Sequence, residues 1–269
     1  LQTALECLQN DLPHPPLTFF WTVQEETGLH GARCASIGLL GKPKLAFNFD
    51  GGAPDKLTIG ATGGYRLAID IRGIASHAGG APELGVSAIA VAALAIADLQ
   101  QNGWHGDIRK DGSRGTSNVG VIQGGEATNV VTDHVHVRAE ARSHDPKFRR
   151  RIVREIETAF RRAAKEFINI DGKRAKAEIA GNLDYESFVL ANDEPCVLAA
   201  ERAIRQAGLT PMRAIANGGV DANWMVQHGM PTVTIGAGQL NQHMVTEALD
   251  VAKFLAACRI GLHLATAEE

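Results

Sequence analysis

The 269-residue sequence has no apolar run near the roughly 20 residues that span a bilayer, so it offers no transmembrane helix. It has no basic excess. The formal net charge is -3, which leaves no electrostatic footprint for nucleic acid. Cysteine is scarce: Cys7, Cys34, Cys196 and Cys258 are scattered without CxxC spacing, as expected of reduced thiols in a cytoplasmic protein. No signal-peptide pattern is present. No GxGxxG follows a strand with an acidic residue suitably downstream, which weakens a dinucleotide-binding reading. Internal repeats and low-complexity segments are absent. What is there is ordinary globular composition, 45% hydrophobic and 21% charged, in a chain long enough for two domains.

The pattern along the chain is α/β at both ends and different in the middle. Residues 1–10 have helical spacing, and Asp11 to Pro16 break it. Leu17 to Val23 is a run of β-formers that stops at Glu25 and Glu26, then turns through Thr27, Gly28 and Gly31, so a buried strand is expected there. Gly31 to Leu40 has helical spacing. Leu45–Phe49 reads as a second buried strand, which delivers Asp50 into Gly51-Gly52. From about residue 62 the pattern changes. Tyr65 to Arg72, Ser117 to Ile122, Val135 to Ala141 and Ala175 to Ile179 read as strands, with helices over 83–101 and 146–168. That order is the split βαβ motif of a ferredoxin-like domain. After residue 181 the α/β style resumes, with helices over 193–207 and 246–264 and strands over 211–215 and 231–235. The expected division is an α/β catalytic domain in two parts, 1–61 and 181–269, with an inserted α+β lid at 62–180.

Several residues could carry chemistry. Carboxylates at strand ends sit where ligands bind in open α/β sheets. Glu25 beside Glu26 is a solvated acidic turn, or one carboxylate binds a metal while the other moves a proton. Asp50 and His243 also follow expected strand ends, and mixed His and carboxylate donors suit zinc, cobalt or manganese. His77, in Ser-His-Ala-Gly, is an ordinary loop histidine or a donor to developing oxyanion charge. Asn129 is a turn residue or a substrate hydrogen-bonder. Arg142 is a carboxylate anchor or a solvated arginine. Asp221 caps the helix it precedes or lines the site. The other histidines, His134 and His136 among them, show no evident pairing.

Taken together these stretches resemble a known family. They are Gln24-Glu-Glu-Thr-Gly28, Phe49-Asp-Gly-Gly52, Ile74-Ala-Ser-His-Ala-Gly79, Ala127-Thr-Asn-Val130, Glu140-Ala-Arg-Ser-His-Asp145, Gly218-Gly-Val-Asp-Ala-Asn223, and His243 with Glu247 after it. Their order is similar to that of the co-catalytic two-metal aminopeptidases, carboxypeptidases and deacylases, closest to the peptidase T branch. The resemblance implies a zinc-peptidase-like α/β catalytic domain with an inserted ferredoxin-like lid and dimerisation domain. It implies hydrolysis of amide bonds in small peptides or N-acyl amino acids, with two divalent ions, zinc first and cobalt or manganese next. Glu25 would be the general base. Glu26 and His243 would ligate one ion and Asp50 the other. His77 would reach the oxyanion from the partner subunit's lid in a homodimer. Asn129 and Arg142 would hold the substrate, and the loop with Gly218 and Asp221 would line its pocket.

The family also needs a His-x-Asp pair and a bridging Asp in a segment before the Glu-Glu strand, and this sequence has no such segment. It opens at Leu1, inside an amphipathic pattern. The expectation is therefore a fragment lacking the N-terminal part of the catalytic domain, with an incomplete metal site. The competing expectation is a non-catalytic dimerising remnant or a degenerate homologue without a complete metal site.

Overall fold

Helix α1 (Gln2–Gln9) and a single helical turn, α2 (His30–Arg33), precede strands β1 (Ala46–Phe49) and β2 (Lys56–Ala61) in the computed structural model, which describes residues 1–266. Strand β3 (Gly63–Arg72), the two-residue β4 (Ser76–His77) and helix α3 (Ala88–Gln101) follow. Then come β5 (Gly106–Lys110), β6 (Ser113–Gly124), β7 (Val130–Val131), β8 (His134–Ser143), α4 (Pro146–Glu166) and β9 (Lys176–Tyr185). The chain closes with β10 (Phe188–Val189), α5 (Pro195–Gln206), β11 (Met212–Ala216), α6 (Ala222–Gln227), β12 (Thr232–Ile235), β13 (Gln239–Leu240), β14 (Ala248–Leu249) and α7 (Val251–Ala265). Two compact units result. One joins Leu1–Thr62 with Tyr185–Glu269, and the other is Gly63–Asp184.

The first unit is built on a mixed sheet, ordered β1-β12-β2-β10, with β11 also pairing β2. β1 runs parallel to β12, so Phe49 lies opposite Ile235 and both strands end on one side. β2, which the sequence pattern did not suggest, is the middle of the sheet: Leu57 and Ala61 are fully buried. Its core gathers Leu57, Val197, Ile204, Val233, Ile235 and Ile260 from strands and from helices α5 and α7. α1 packs on α7 at Gly261, where a Cβ would meet Thr3 Oγ1 at 2.8 Å.

Two local expectations fail in this unit. Leu17 to Val23 is not a strand. No described residue shares a ladder with it, and a strand without a partner leaves its backbone groups to water. Trp21 and Val23 stay 65% and 67% exposed, and Phe19 stacks on Trp21 at 6.1 Å between ring centroids. Residues 31–40 are not one helix either. α2 stops at Arg33 and a 3₁₀ turn forms at Ile37–Leu40. Four of the apolar residues still turn inward, Ala32 packing with Met225 and Met230 and Ala35, Ile37 and Leu40 lying around them, while Leu39 is 85% exposed.

The second unit is the ferredoxin-like domain. Its sheet runs β5-β6-β8-β3-β9, the split βαβ order with one added hairpin strand, β5. Alternation puts Leu67, Ile69 and Ile71 of β3 and Val135, Val137 and Ala139 of β8 into the core, under Val91, Ala95 and Leu99 of α3 and Ile152, Ile156 and Phe160 of α4. Asp145 starts α4 by accepting the Lys147 N–H at 2.8 Å, and Pro146 fills the first helical position. Phe160 is fully buried at the centre of this core. Phe160→Ala should destabilise this unit by about 3–5 kcal/mol, read as a loss in thermal or urea unfolding free energy.

Candidate active site

Residues 23–31 fold back on themselves as a tight loop with Glu25 and Glu26 at its tip. Gly31 N donates to Val23 O at 2.9 Å, His30 N to Gln24 O at 3.3 Å, and Leu29 N to Glu25 O at 2.9 Å. Gly31 is required here, since a Cβ would lie 2.4 Å from Val23 N. The tip is strained: Gln24 and Leu29 both have positive φ, 55° and 57°. Just before the loop, the Thr22 hydroxyl donates to Asp221 Oδ2 at 2.5 Å, a long-range tie to the rest of the unit.

Asp50 arrives by a different route. It extends β1 by one residue, with its N–H on Ile235 O at 2.9 Å. The turn after it is zipped to the turn after β12: Ala237 N donates to Gly51 O at 2.9 Å, and Gly51 N to Gln239 Oε1 at 3.0 Å. No residue but glycine fits at 236, where a Cβ would sit 2.0 Å from Ala53 O. This second turn leads through β13 to His243. That residue also has positive φ, 62°, and its N–H is held by Glu247 Oε2 at 2.8 Å. Its Nε2 stands 3.6 Å from Glu26 Oε2.

The electrostatics show that these carboxylates share one neighbourhood. Burial, then the charges of Asp50, Glu26 and Asp221, push the Glu25 carboxyl up to about 7. Asp50 is raised by burial, then by Asp221 and Glu26, while the Gly51 N–H and His243 pull it back. Asp221 is raised by burial against the Thr22 hydrogen bond. It is only 6% exposed, and its Oδ1 has no hydrogen-bond partner among the described residues. It does not cap α6, which was one of its two expected roles.

Such a cluster fits a divalent cation by donor type and by charge. It does not fit two ions by number. Among the described residues no group of three or more His, Cys, Asp or Glu side chains is arranged to hold a metal, and only Glu26 and His243 face each other directly.

The Gly218 loop is open, with nothing within 4 Å of a Cβ at Gly218. Its neighbour Gly219 lies on the Tyr185 ring, 2.5 Å from where a Cβ would be. The residue that organises this loop is Asn223, fully buried, whose Oδ1 accepts the Val220 N–H at 2.9 Å while Nδ2 donates to Thr62 O at 3.0 Å and Glu186 O at 2.7 Å. Its place in the Gly-Gly-Val-Asp-Ala-Asn stretch was the only hint of that role.

In the Gly63–Asp184 unit, His77 and Asn129 are brought together. β4 pairs β7 with His77 opposite Val130, and Ala78 N donates to Asn129 O at 2.9 Å. His77 Nδ1 accepts the N–H groups of Gly79 (3.1 Å) and Gly80 (2.9 Å), which places the ring proton on Nε2, with no hydrogen-bond partner there among the described residues. Arg142 is not with them. It stands near the far end of β8, opposite Gly64, with Nη2 2.9 Å from Glu140 Oε2. Eight residues of strand from His134 put it about 26 Å along β8 from the end nearest His77. His134 and His136 are paired after all: both approach Asp70 Oδ1, at 2.8 and 3.3 Å, across the β3–β8 ladder.

Known proteins are similar to this chain over most of its length. The M20 family described as Peptidase dimerisation domain matches residues 59–168. Aminopeptidase PepT from Bacillus cereus is 32% identical with a TM-score of 0.79, over 98% of this chain and 67% of that one. The Bacillus subtilis YXEP protein, described as a dinuclear metal binding peptidase from the M20 family, shares the fold at 20% identity and a TM-score of 0.65, over 98% of this chain and 68% of that one. Uncharacterized protein YqjE of Bacillus subtilis is 30% identical over 248 residues, which is 92% of this chain and 63% of that protein. The chain therefore spans about two thirds of the length of these relatives. With peptidase T-like identity across nearly all of its length, the chain belongs to the M20 family of metallopeptidases and amidohydrolases.

Proposed function

We propose that the chain serves a metal-dependent hydrolase of amide bonds, acting on small peptides or N-acyl amino acids in the manner of a peptidase T-like aminopeptidase. The observation that carries this reading is the gathering of Glu25 and Glu26 near Asp50 and His243, with Glu26 Oε2 3.6 Å from His243 Nε2 and the Glu25 carboxyl pushed up to about 7 by burial and by three other carboxylates. A general base works best with a pKa near the working pH. Glu25 takes the proton of the attacking water and returns it to the leaving nitrogen. Glu26, Asp50 and His243 are the donors for divalent cations, zinc first, and this crowded negative cluster calls for such counter-charge. The Gly218 loop and Asp221 line the pocket.

The unit with His77, Asn129 and Arg142 is the lid and the dimerisation domain. His77 offers Nε2–H toward oxyanion charge, Asn129 beside it offers its amide, and Arg142 takes a substrate carboxylate. Their spread of about 26 Å along β8 is too wide for one lid to present all three to one small substrate. That supports a homodimer in which His77 comes from the partner copy. The free thiols Cys7, Cys34, Cys196 and Cys258 suit a cytoplasmic setting, and no helix among the described residues is long and apolar enough to cross a membrane.

One observation favours a second reading, a non-catalytic dimerising protein: no three ligands converge among the described residues. Hydrolysis assays decide. Tripeptides and N-acetyl amino acids should be turned over with zinc, cobalt or manganese present, and Glu25→Gln should lower kcat by at least about a hundredfold while calorimetry shows ion binding retained. No turnover with any of the three ions, together with a dimer that survives chelation, would establish the second reading.

The Glu25 environment also sets a pH dependence. Its folded pKa is raised from 4.5 to about 7, so its ionised form opposes folding. The stabilising preference for the protonated group is fully present below pH 4.5 and is lost as pH rises toward 7. In the chelated protein, Glu25→Gln should therefore gain stability over wild type across that window and hold a constant advantage above it, measured by thermal unfolding at a series of pH values.

A further inference from the structure

Helix α6 (Ala222–Gln227) is tied at both of its ends to the flanks of the acidic loop. Asp221, just before α6, accepts the hydroxyl of Thr22, which precedes the loop. His228, just after α6, reaches the stretch that follows the loop: its Nε2 lies 3.1 Å from Ala32 O and 3.1 Å from Arg33 O. Both partners are carbonyls, so Nε2 carries a proton and donates it. They are the last two carbonyls of α2, the single turn into which the loop runs. The last carbonyls of a helix have no partner within it, and a single turn does not hold itself together in water.

The two ties differ in kind. Asp221 is one of the crowded carboxylates, so the first tie depends on the charge of the site. The second ends on backbone and does not. Other contacts fasten it. Arg33 Cζ stands 5.4 Å from the centre of the Trp224 ring, and the His228 ring centre lies 5.9 Å from that ring. Ala32 packs, fully buried, with Met225 and Met230. α6 is fixed in turn, because the buried Asn223 in its first turn donates to Thr62 O and Glu186 O.

We infer that His228 is a positioning residue for the proposed hydrolysis. Residues 23–31 are closed at the neck by the Gly31 N–Val23 O hydrogen bond, so the tip moves with its flanks. By anchoring α2, His228 fixes the second flank, and with it the distance of Glu25 and Glu26 from Asp50 and Asp221. Without that anchor the loop pivots about Thr22. A proton-moving carboxylate pays heavily in rate for a small misplacement. His228 acts through the backbone and is neither a metal donor nor a pocket residue. The role rests on those proposed for Glu25 and Glu26.

Amide exchange and zinc calorimetry of the full chain test it, in wild type, His228→Phe and His228→Gln. The phenylalanine variant keeps a ring beside Trp224 and loses the donor. The glutamine variant supplies an amide donor in its place. In His228→Phe the amides of Leu29, Gly31 and Arg33, all hydrogen-bonded within the loop and α2, should exchange about tenfold faster, while those of β12 and α5 keep their rates. Zinc affinity should fall by about tenfold or more, and His228→Gln should recover most of both losses. In tripeptide turnover, kcat should fall by about tenfold with KM nearly unchanged. Nitrogen NMR of wild type gives a variant-free reading should the phenylalanine variant misfold: the neutral His228 ring should carry its proton on Nε2. Loop amides that keep wild-type rates in His228→Phe, equal acceleration in the loop, β12 and α5 without recovery in His228→Gln, or an Nδ1–H tautomer would each overturn the positioning role and leave the proposed hydrolase standing. A wild type that binds no zinc would overturn the proposed metal donors, and this role with them, whatever the exchange rates.

Discussion

Negative charge crowded into one place is the constraint on which the site depends. Glu25, Glu26, Asp50 and Asp221 arrive from four separate stretches, and three of them are pushed toward the protonated state by burial and by each other. Left alone, such a group repels itself, and the fold must hold it by other means. It does so with backbone. Asp50 is fixed by ladder and turn hydrogen bonds to the strand beside it, and Asp221 by one hydroxyl just before the acidic loop. Four of the seven non-glycine residues with positive φ, Gln24, Leu29, Asn241 and His243, border the acidic tip or the histidine opposite it. Each costs on the order of 1 kcal/mol or more. Strain and repulsion concentrated in one place mark a site whose stability is drawn from elsewhere in the unit, and the proposed cation would be its relief.

That relief is also where the chain is thin. The acidic loop is carried by a stretch that gains no sheet partner, so its position relative to Asp50 rests on few contacts. Thr22 to Asp221 is the long-range hydrogen bond among them that touches the site. A proton-shuttling carboxylate needs fixed distance to its substrate, since small misplacements are costly in rate.

The sequence made parts of this visible and hid others, for physical reasons. Asp50 was legible because a short β-run followed by Gly-Gly is a local signal, and the ferredoxin-like order was legible because long strands and helices carry strong periodicity. Leu17 to Val23 misled because β-propensity describes a surface that fits a sheet, and the sheet neighbour must still be present. β2 was missed for the reverse reason: Lys56–Ala61 has threonine and glycine in place of a strong pattern, yet its position between β12 and β11 makes it the centre of the sheet. Asn223 and the Asp70–His134–His136 group depend on cross-strand or long-range pairing, which no local window contains. His77 was visible as a motif only. Its tautomer is set by two glycine N–H groups two and three residues on, a detail of turn geometry.

The inserted unit separates its two jobs along one sheet. Its helices and buried strand faces make a self-sufficient core, as the close packing around Phe160 shows. Its polar groups are then free to be placed at the ends: His77 and Asn129 beyond one end of β3 and β8, Arg142 near the other. A rigid strand is a good ruler for such placement, because its rise per residue is nearly fixed. But a ruler about 26 Å long cannot bring its own two ends to one small molecule. The proposed homodimer removes that obstacle, because the histidine and the arginine would then come from different copies.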